Sequence, residues 1–187
     1  MSSLKWVDAF IALGGNEGSV LQHFANTLSV LFRHDGVLIR AISSAYRTQA
    51  EVPGGVPPEA LADYWNAVVR LDTTLMAQEL LFLLHDLERK AGRVRHYLGQ
   101  SRPLDLDLLI YDQHVSNDPA LLLPHPRLAS RIFVLRPLAE LARELKIPGR
   151  EQTVADLLAC QAQPDRGILE IRGNWVSKNL MDVFYVV

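Results

Sequence analysis

Residues 102–112 read RPLDLDLLIYD, and two aspartates sit inside what is otherwise the pattern of a buried strand. Side chains alternate along a strand, so Asp105 and Asp107 share one face while Leu104, Leu106 and Leu108 turn to the core. Two carboxylates two residues apart lie about 6.6 Å from each other. At an effective dielectric near 20 they repel by roughly 2–3 kcal/mol, a cost that solvent or a cation must offset. The neighbouring sequence supplies cations: Arg93, Arg95 and Arg102 upstream, His125 and Arg131 downstream. Paired carboxylates that hold Mg²⁺ on phosphate oxygens, with arginines taking the remaining charge, are the usual equipment of phosphoryl transfer. Neither G-x-x-x-x-G-K-[ST] nor G-x-G-x-x-G occurs in the chain, so phosphate handling rests on metal and arginine.

Working outward, VDAFIAL at 7–13 is a short apolar run ending in Gly14-Gly15-Asn16, a strand entering a turn. Ser19 is placed to cap a helix whose apolar positions Val20, Phe24, Leu28, Leu31 and Phe32 recur at helical spacing, and Asp35-Gly36 stops it. VLIRAISSAY from Val37 and NAVVRLDT from Asn66 read as two strands. Between them, Arg47 to Asp63 has no sustained period and reads as a long mobile loop, of a length that is usually functional or disordered. Thr74 opens a second amphipathic helix over about 77–90, with Leu80, Leu81, Leu84 and Leu87 on its face and Ala91-Gly92 at its end. The order strand, helix, strand, strand, helix, strand predicts an α+β domain of ferredoxin-like βαββαβ type, an antiparallel sheet with helices on one face and the other face open to ligand. Extra helical pieces follow, over 128–145 and at TVADLLACQ. Residues 1–162 form one domain on this reading, and 163–187 form a C-terminal extension packing on it.

The chain has 187 residues, 49% of them apolar, enough for one real core, and a formal net charge of -2. That balance gives no global basic field to attract nucleic acid or an anionic membrane. The single cysteine, Cys160, and a start without the pattern of a secretory signal point to a reducing cytoplasm. No apolar run reaches the roughly 20 residues that span a bilayer.

Six stretches together resemble the 6-hydroxymethyl-7,8-dihydropterin pyrophosphokinase family of folate biosynthesis. They are ALGGN near the start, AYRT at 45–48, YWNAVVRL at 64–71, ERKAGRVR at 88–95, SRPLDLDLLIY at 101–111 and LPHPRLASRIFVLRPLAEL at 123–141. The resemblance implies an enzyme in which Mg·ATP, the co-substrate, donates pyrophosphate to the pterin hydroxymethyl oxygen, leaving AMP. It implies that Asp105 and Asp107 hold two Mg²⁺ ions and that Arg93, Arg102 and Arg131 neutralise phosphate, with His125 beside the phosphates. Arg95 and Glu88 then belong to the ATP side. Tyr64 and Phe133 stack on the flat pterin, Asn66 reads its amide-like edge, and Asn16 and Thr48 line the same end. The implied partners are these small molecules alone, with no nucleic acid and no membrane, on a monomer.

The chain departs from the family pattern in two loops. YLGQSR at 97–102 lacks a tryptophan and a proline usual before the aspartates, and in RTQAEVPGG at 47–55 Gln49, Ala50 and Glu51 stand where prolines and an apolar residue are common. These departures motivate an alternative, a non-catalytic or altered-specificity relative that binds pterin or nucleotide. A nucleic-acid module on an open sheet face is disfavoured, because that face carries two aspartates in place of a basic, aromatic surface.

Overall fold

The alternation at the first strand sorts the whole sheet into two faces. In the computed structural model, which describes residues 5–50, 62–93, 101–161, 165 and 167–176, strand β1 spans Val7–Gly15. Helix α1 (Val20–Phe32), β2 (Val37–Ile42), β3 (Ala45–Thr48), β4 (Tyr64–Thr73), α2 (Ala77–Lys90) and β5 (Asp105–Tyr111) follow. The strands run antiparallel in the order β5, β1, β4, β3, with β2 also on β4. Ala9, Ile11 and Leu13 of β1 join Leu106 and Leu108 of β5 under α1 and α2, in one cluster with Phe24, Leu28, Leu80 and Leu84. Leu104, Leu106 and Leu108 of RPLDLDLLIYD thus face this core as their alternation predicts.

The opposite face departs from expectation. It is not left open along its length, because the C-terminal half of the chain supplies helices there. Hairpin β6 (Ser116–Asp118) and β7 (Leu121–Leu123) leads into α3 (Ile132–Ala142) and α4 (Val154–Ala159). Val134, Leu135 and Leu138 of α3 and Val154 and Leu157 of α4 pack on Phe10, Val68, Leu109 and Ile110. Helices therefore cover both faces of the sheet, and only one end of the second face remains available.

Local signals account for most boundaries and miss some. VLIRAISSAY is not one strand but two, split where Ser43 exchanges bonds with Val68: its N–H donates to the Val68 carbonyl and its Oγ accepts the Val68 N–H, each at 2.9 Å. Ser19 sits at the α1 N-cap without a side-chain capping bond. α2 starts at Met76, whose N–H donates to Glu79 (2.8 Å), so Thr74 is not its cap. The helix expected over 128–145 is a 3₁₀ turn, Leu128–Ser130, then α3. The two are separated by Arg131, whose extended backbone (φ -104°, ψ 107°) breaks the helical run. The tail contributes β8 (Ile168–Arg172), which extends the sheet beyond β3. Trp175 follows it, donating from its indole to the Ser43 carbonyl at 2.9 Å and meeting Phe24 edge-on with ring centroids 5.7 Å apart. Most of the long loop, residues 51–61, and the stretch 94–100 with Arg95 lie outside the described residues.

Candidate active site

Strand register builds the floor of the site. Asp105 lies opposite Gly14 and Asp107 opposite Ala12, and Gly14 faces Asn66 on its other side. All five therefore project from one sheet face, at the end that α3 leaves uncovered. A cavity of about 310 Å³ opens above them, bounded also by Thr48, Tyr64, Arg93, Arg102, Arg131 and Phe133. Small residues at 12 and 14 give it depth. A Cβ on Gly14 would stand 3.5 Å from the Asn66 side-chain oxygen and 3.7 Å from Asp105, so a larger group there would fill the floor.

The carboxylate repulsion expected from sequence is met by cationic side chains. Asp105 is held by Arg93 at 2.5 Å and Arg102 at 3.0 Å. Among the described residues Asp107 has longer ion pairs, to His125 Nε2 and Arg131 Nη1, both at 3.8 Å. His125 Nδ1 accepts the Arg127 N–H at 3.2 Å, so the proton of the neutral ring belongs on Nε2, facing Asp107. Burial lowers the His125 pKa, and Asp107 pulls it back only in part.

The donor chemistry fits Mg²⁺. Among the described residues no three His, Cys, Asp or Glu groups gather as a closed cage, and Asp105 and Asp107 offer two carboxylates on an open face. Mg²⁺ characteristically takes one or two carboxylates and completes its shell with water and substrate phosphate. Among the described residues Asp105 has the closer cations and Asp107 the more distant ones.

Three residues hold this floor from outside the cavity. Glu88 on α2, expected on the ATP side, is 1% exposed. Its carboxylate accepts the Leu106 N–H at 2.8 Å, between the two aspartates, and pairs with Arg93. β5 is the edge strand, so that N–H lacks a strand partner and Glu88 supplies one. Gly15 is required by close approach, since a Cβ there would fall 2.7 Å from the Pro103 carbonyl. Asn16 then clamps Arg102, its N–H donating to the Arg102 carbonyl (2.9 Å) and its side-chain oxygen accepting the Arg102 N–H (2.8 Å). Asn16, expected to line the pocket, acts on the strand entry instead.

At the far end of the cavity the expected aromatic and amide groups come together. Asn66 donates to Thr48 Oγ1 at 3.0 Å, and both are buried. The Arg102 guanidinium lies 5.5 Å from the Tyr64 ring centre, and that of Arg131 lies 5.3 Å from Phe133. Sequence reasoning missed Arg127 and Gln49, which also border the cavity. Arg127, directly after Pro124-His125-Pro126, carried a usable signal; Gln49 stood out only as a departure from the family pattern. A smaller cavity of about 160 Å³ adjoins the first at Asp107 and is bounded by His85, Leu122, Leu123 and His125.

Comparison with known proteins gives the family. Residues 10–143 match the family model of 7,8-dihydro-6-hydroxymethylpterin-pyrophosphokinase. A 2-amino-4-hydroxy-6-hydroxymethyldihydropteridine pyrophosphokinase from Bacillus subtilis is 34% identical over 148 residues, covering 79% of this chain and 84% of the relative. One from Pseudomonas aeruginosa is 32% identical over 164 residues, covering 88% and 96%. The fold resembles that of a Plasmodium falciparum HPPK-DHPS crystal structure, with a TM-score of 0.65 at 13% identity. The match covers 83% of this chain and 44% of that longer protein. The matched span holds every one of the site's floor residues, from Ala12 to Asp107, and the chain belongs to the 7,8-dihydro-6-hydroxymethylpterin-pyrophosphokinase family.

Proposed function

We infer that this chain is a diphosphokinase that transfers pyrophosphate from ATP to 6-hydroxymethyl-7,8-dihydropterin, giving AMP and the pterin diphosphate, a step of folate biosynthesis. The observation that carries the reading is the Asp105–Asp107 pair at the uncovered end of the sheet, between an aromatic-and-amide cavity and a second cavity that adjoins it at Asp107. The larger cavity takes the pterin. Tyr64 and Phe133 supply flat apolar surface for the ring, and Asn66, oriented by Thr48, reads its polar edge. The smaller cavity takes the nucleotide, with its phosphates at Asp107 and His125.

Asp105 and Asp107 would hold two Mg²⁺ ions, which draw charge off the phosphate oxygens and favour the attacking hydroxyl. Arg93 and Arg102, which hold Asp105 in this structure, would be the nearest arginines to neutralise phosphate if that carboxylate held a metal ion. Arg131 supplies charge from the α3 end and His125 can donate from Nε2. Arg95 belongs to the same ATP side on the strength of the sequence resemblance. Transfer of this kind is chiefly positioning and charge stabilisation, which the rigid strands β1, β4 and β5 provide.

The β1–α1–β2/β3–β4–α2–β5 part is best read as ferredoxin-like, with residues 1–162 forming the working domain and 163–187 packing on it. A monomer in the cytoplasm is the fitting context, given the lone cysteine, Cys160. Incubation with ATP, Mg²⁺ and 6-hydroxymethyl-7,8-dihydropterin, followed by separation of nucleotides, tests the reading. AMP and a pterin diphosphate are expected. ADP would mean single phosphoryl transfer, and no turnover despite pterin binding would favour a binding relative.

A further inference from the structure

The C-terminal strand touches the substrate cavity through its neighbour. β8 pairs with β3 over Ala45↔Arg172, Tyr46↔Ile171, Arg47↔Glu170 and Thr48↔Ile168. Past the end of β3, the Gln49 N–H donates to the Gly167 carbonyl at 2.8 Å. Gly167 turns there at φ +76°, a conformation glycine adopts without strain. Glu170 pairs with Arg47 Nε at 3.3 Å and with Arg172 at 2.7 Å, while Arg47 also reaches Asp63 at 3.4 Å. Arg47 and Asp63 stand on either side of residues 51–61 in sequence, so Glu170 ties β8 to the chain where it leaves β3 and, through Arg47, to where it re-enters at β4. Thr48 and Gln49, the residues between these ties, border the larger cavity, and Thr48 Oγ1 orients Asn66.

We propose that β8 is a positioning element for the acceptor: the Gly167 carbonyl and the Glu170 carboxylate hold the Arg47–Gln49 stem in the place that shapes the pterin end of the cavity. This rests on the assignment of that end to the pterin. Neither Gly167 nor Glu170 borders either cavity, so both act only through β3. Asp105, Asp107 and His125 lie outside these contacts, so the ties bear on acceptor binding and leave nucleotide binding alone.

Two substitutions cut the two ties. Gln49→Pro removes the N–H that Gly167 accepts, and the extended Thr48 before it is compatible with proline; Gln49→Ala keeps that N–H while removing the same cavity-bordering side chain, and so sets the baseline against which the proline is read. Glu170→Ala removes the carboxylate from Arg47 and Arg172, and Glu170→Asp retains the charge. Affinities for 6-hydroxymethyl-7,8-dihydropterin and for Mg·ATP are measured by calorimetric titration of each intact variant, with melting temperature recorded alongside. One hydrogen bond and one half-exposed ion pair together correspond to a loss of about three- to tenfold in acceptor affinity in the Gln49→Pro/Glu170→Ala double variant. Mg·ATP affinity is expected within about twofold of wild type, and acceptor affinity is expected to be lower in Gln49→Pro than in Gln49→Ala and lower in Glu170→Ala than in Glu170→Asp. Unchanged acceptor affinity in the double variant, or an equal loss for both ligands, would overturn the inference. If wild type itself fails to bind the pterin, the site assignment falls first, and the inference falls with it.

Discussion

One face of one sheet behaves in two opposite ways. At one end Phe10, Val68, Leu109 and Ile110 are dry beneath α3 and α4. A few residues along the same strands, Gly14, Asn66, Asp105 and Asp107 line a charged cavity. β1 pairs with β4 without a break through both regions and with β5 across one bulge between Phe10 and Ile11, so strand propensity does not distinguish them. The difference is cover: α3 begins only after Arg131, and its apolar stripe reaches the Phe10 end and not the Gly14 end. A site can therefore be built on rigid strands at no cost to the core, provided the covering helix stops short.

The largest expected effect comes from moving a charge to the covered end. Leu109→Asp would bury a carboxylate with no cation to pair with it, at a site 0% exposed, and should cost at least about 4 kcal/mol. Chemical denaturation should find it unfolded or nearly so. A melting curve close to wild type would mean that the two ends are not as different as their packing implies.

Glu88 sharpens the comparison from the buried side, because it is a charge that the core does tolerate. It survives there by pairing with Arg93 and accepting the Leu106 N–H. Glu88→Ala leaves that N–H and part of the Arg93 charge without a partner, and should cost about 3 kcal/mol. Turnover of the folded fraction should fall as well, since β5 loses the contact between its two aspartates. Full stability with lowered Mg·ATP affinity alone would instead make Glu88 a direct nucleotide contact.

The smallest effect concerns Tyr46, where β3 meets α3. Its hydroxyl donates to Glu140, and burial, then Glu140, raises its pKa well above the ordinary value. A group whose folded pKa is raised contributes stability fully present below its unfolded pKa, about 10. That contribution is lost as pH rises through the folded value. Tyr46→Phe should therefore be less stable than wild type by about 1 kcal/mol at pH 8, and the gap should narrow above about pH 10. Urea midpoints at the two pH values measure it; a constant gap would remove the titration from the account.

The floor of the site was legible because it is local: the D-x-D alternation, the apolar run into Gly14-Gly15, and the α2 stripe each announce themselves within a few residues. The cover was not. Leu135 and Leu138 read as helix in sequence, but nothing local says which sheet face they meet or where they stop. Ser43 broke an apparently continuous strand through bonds to Val68, 25 residues away. Glu88, near the end of an amphipathic helix, gave no sign that it serves a strand, and Gln49 became visible only once Gly167 was beside it. Each miss is a long-range pairing that pattern within a window does not contain.

On this reading Asp107, at the uncovered end of the sheet, serves catalysis and not the fold. Asp107→Leu tests it most directly, with thermal melting and AMP formation at saturating Mg·ATP measured on the same preparation. Asp107 is partly exposed and, among the described residues, has ion pairs no closer than 3.8 Å, so its removal relieves repulsion from Asp105 and opens no cavity. The account predicts an unchanged or higher melting temperature, with AMP formation down by about a hundredfold or more. A variant that unfolds, or one that turns over near the wild-type rate, would contradict it.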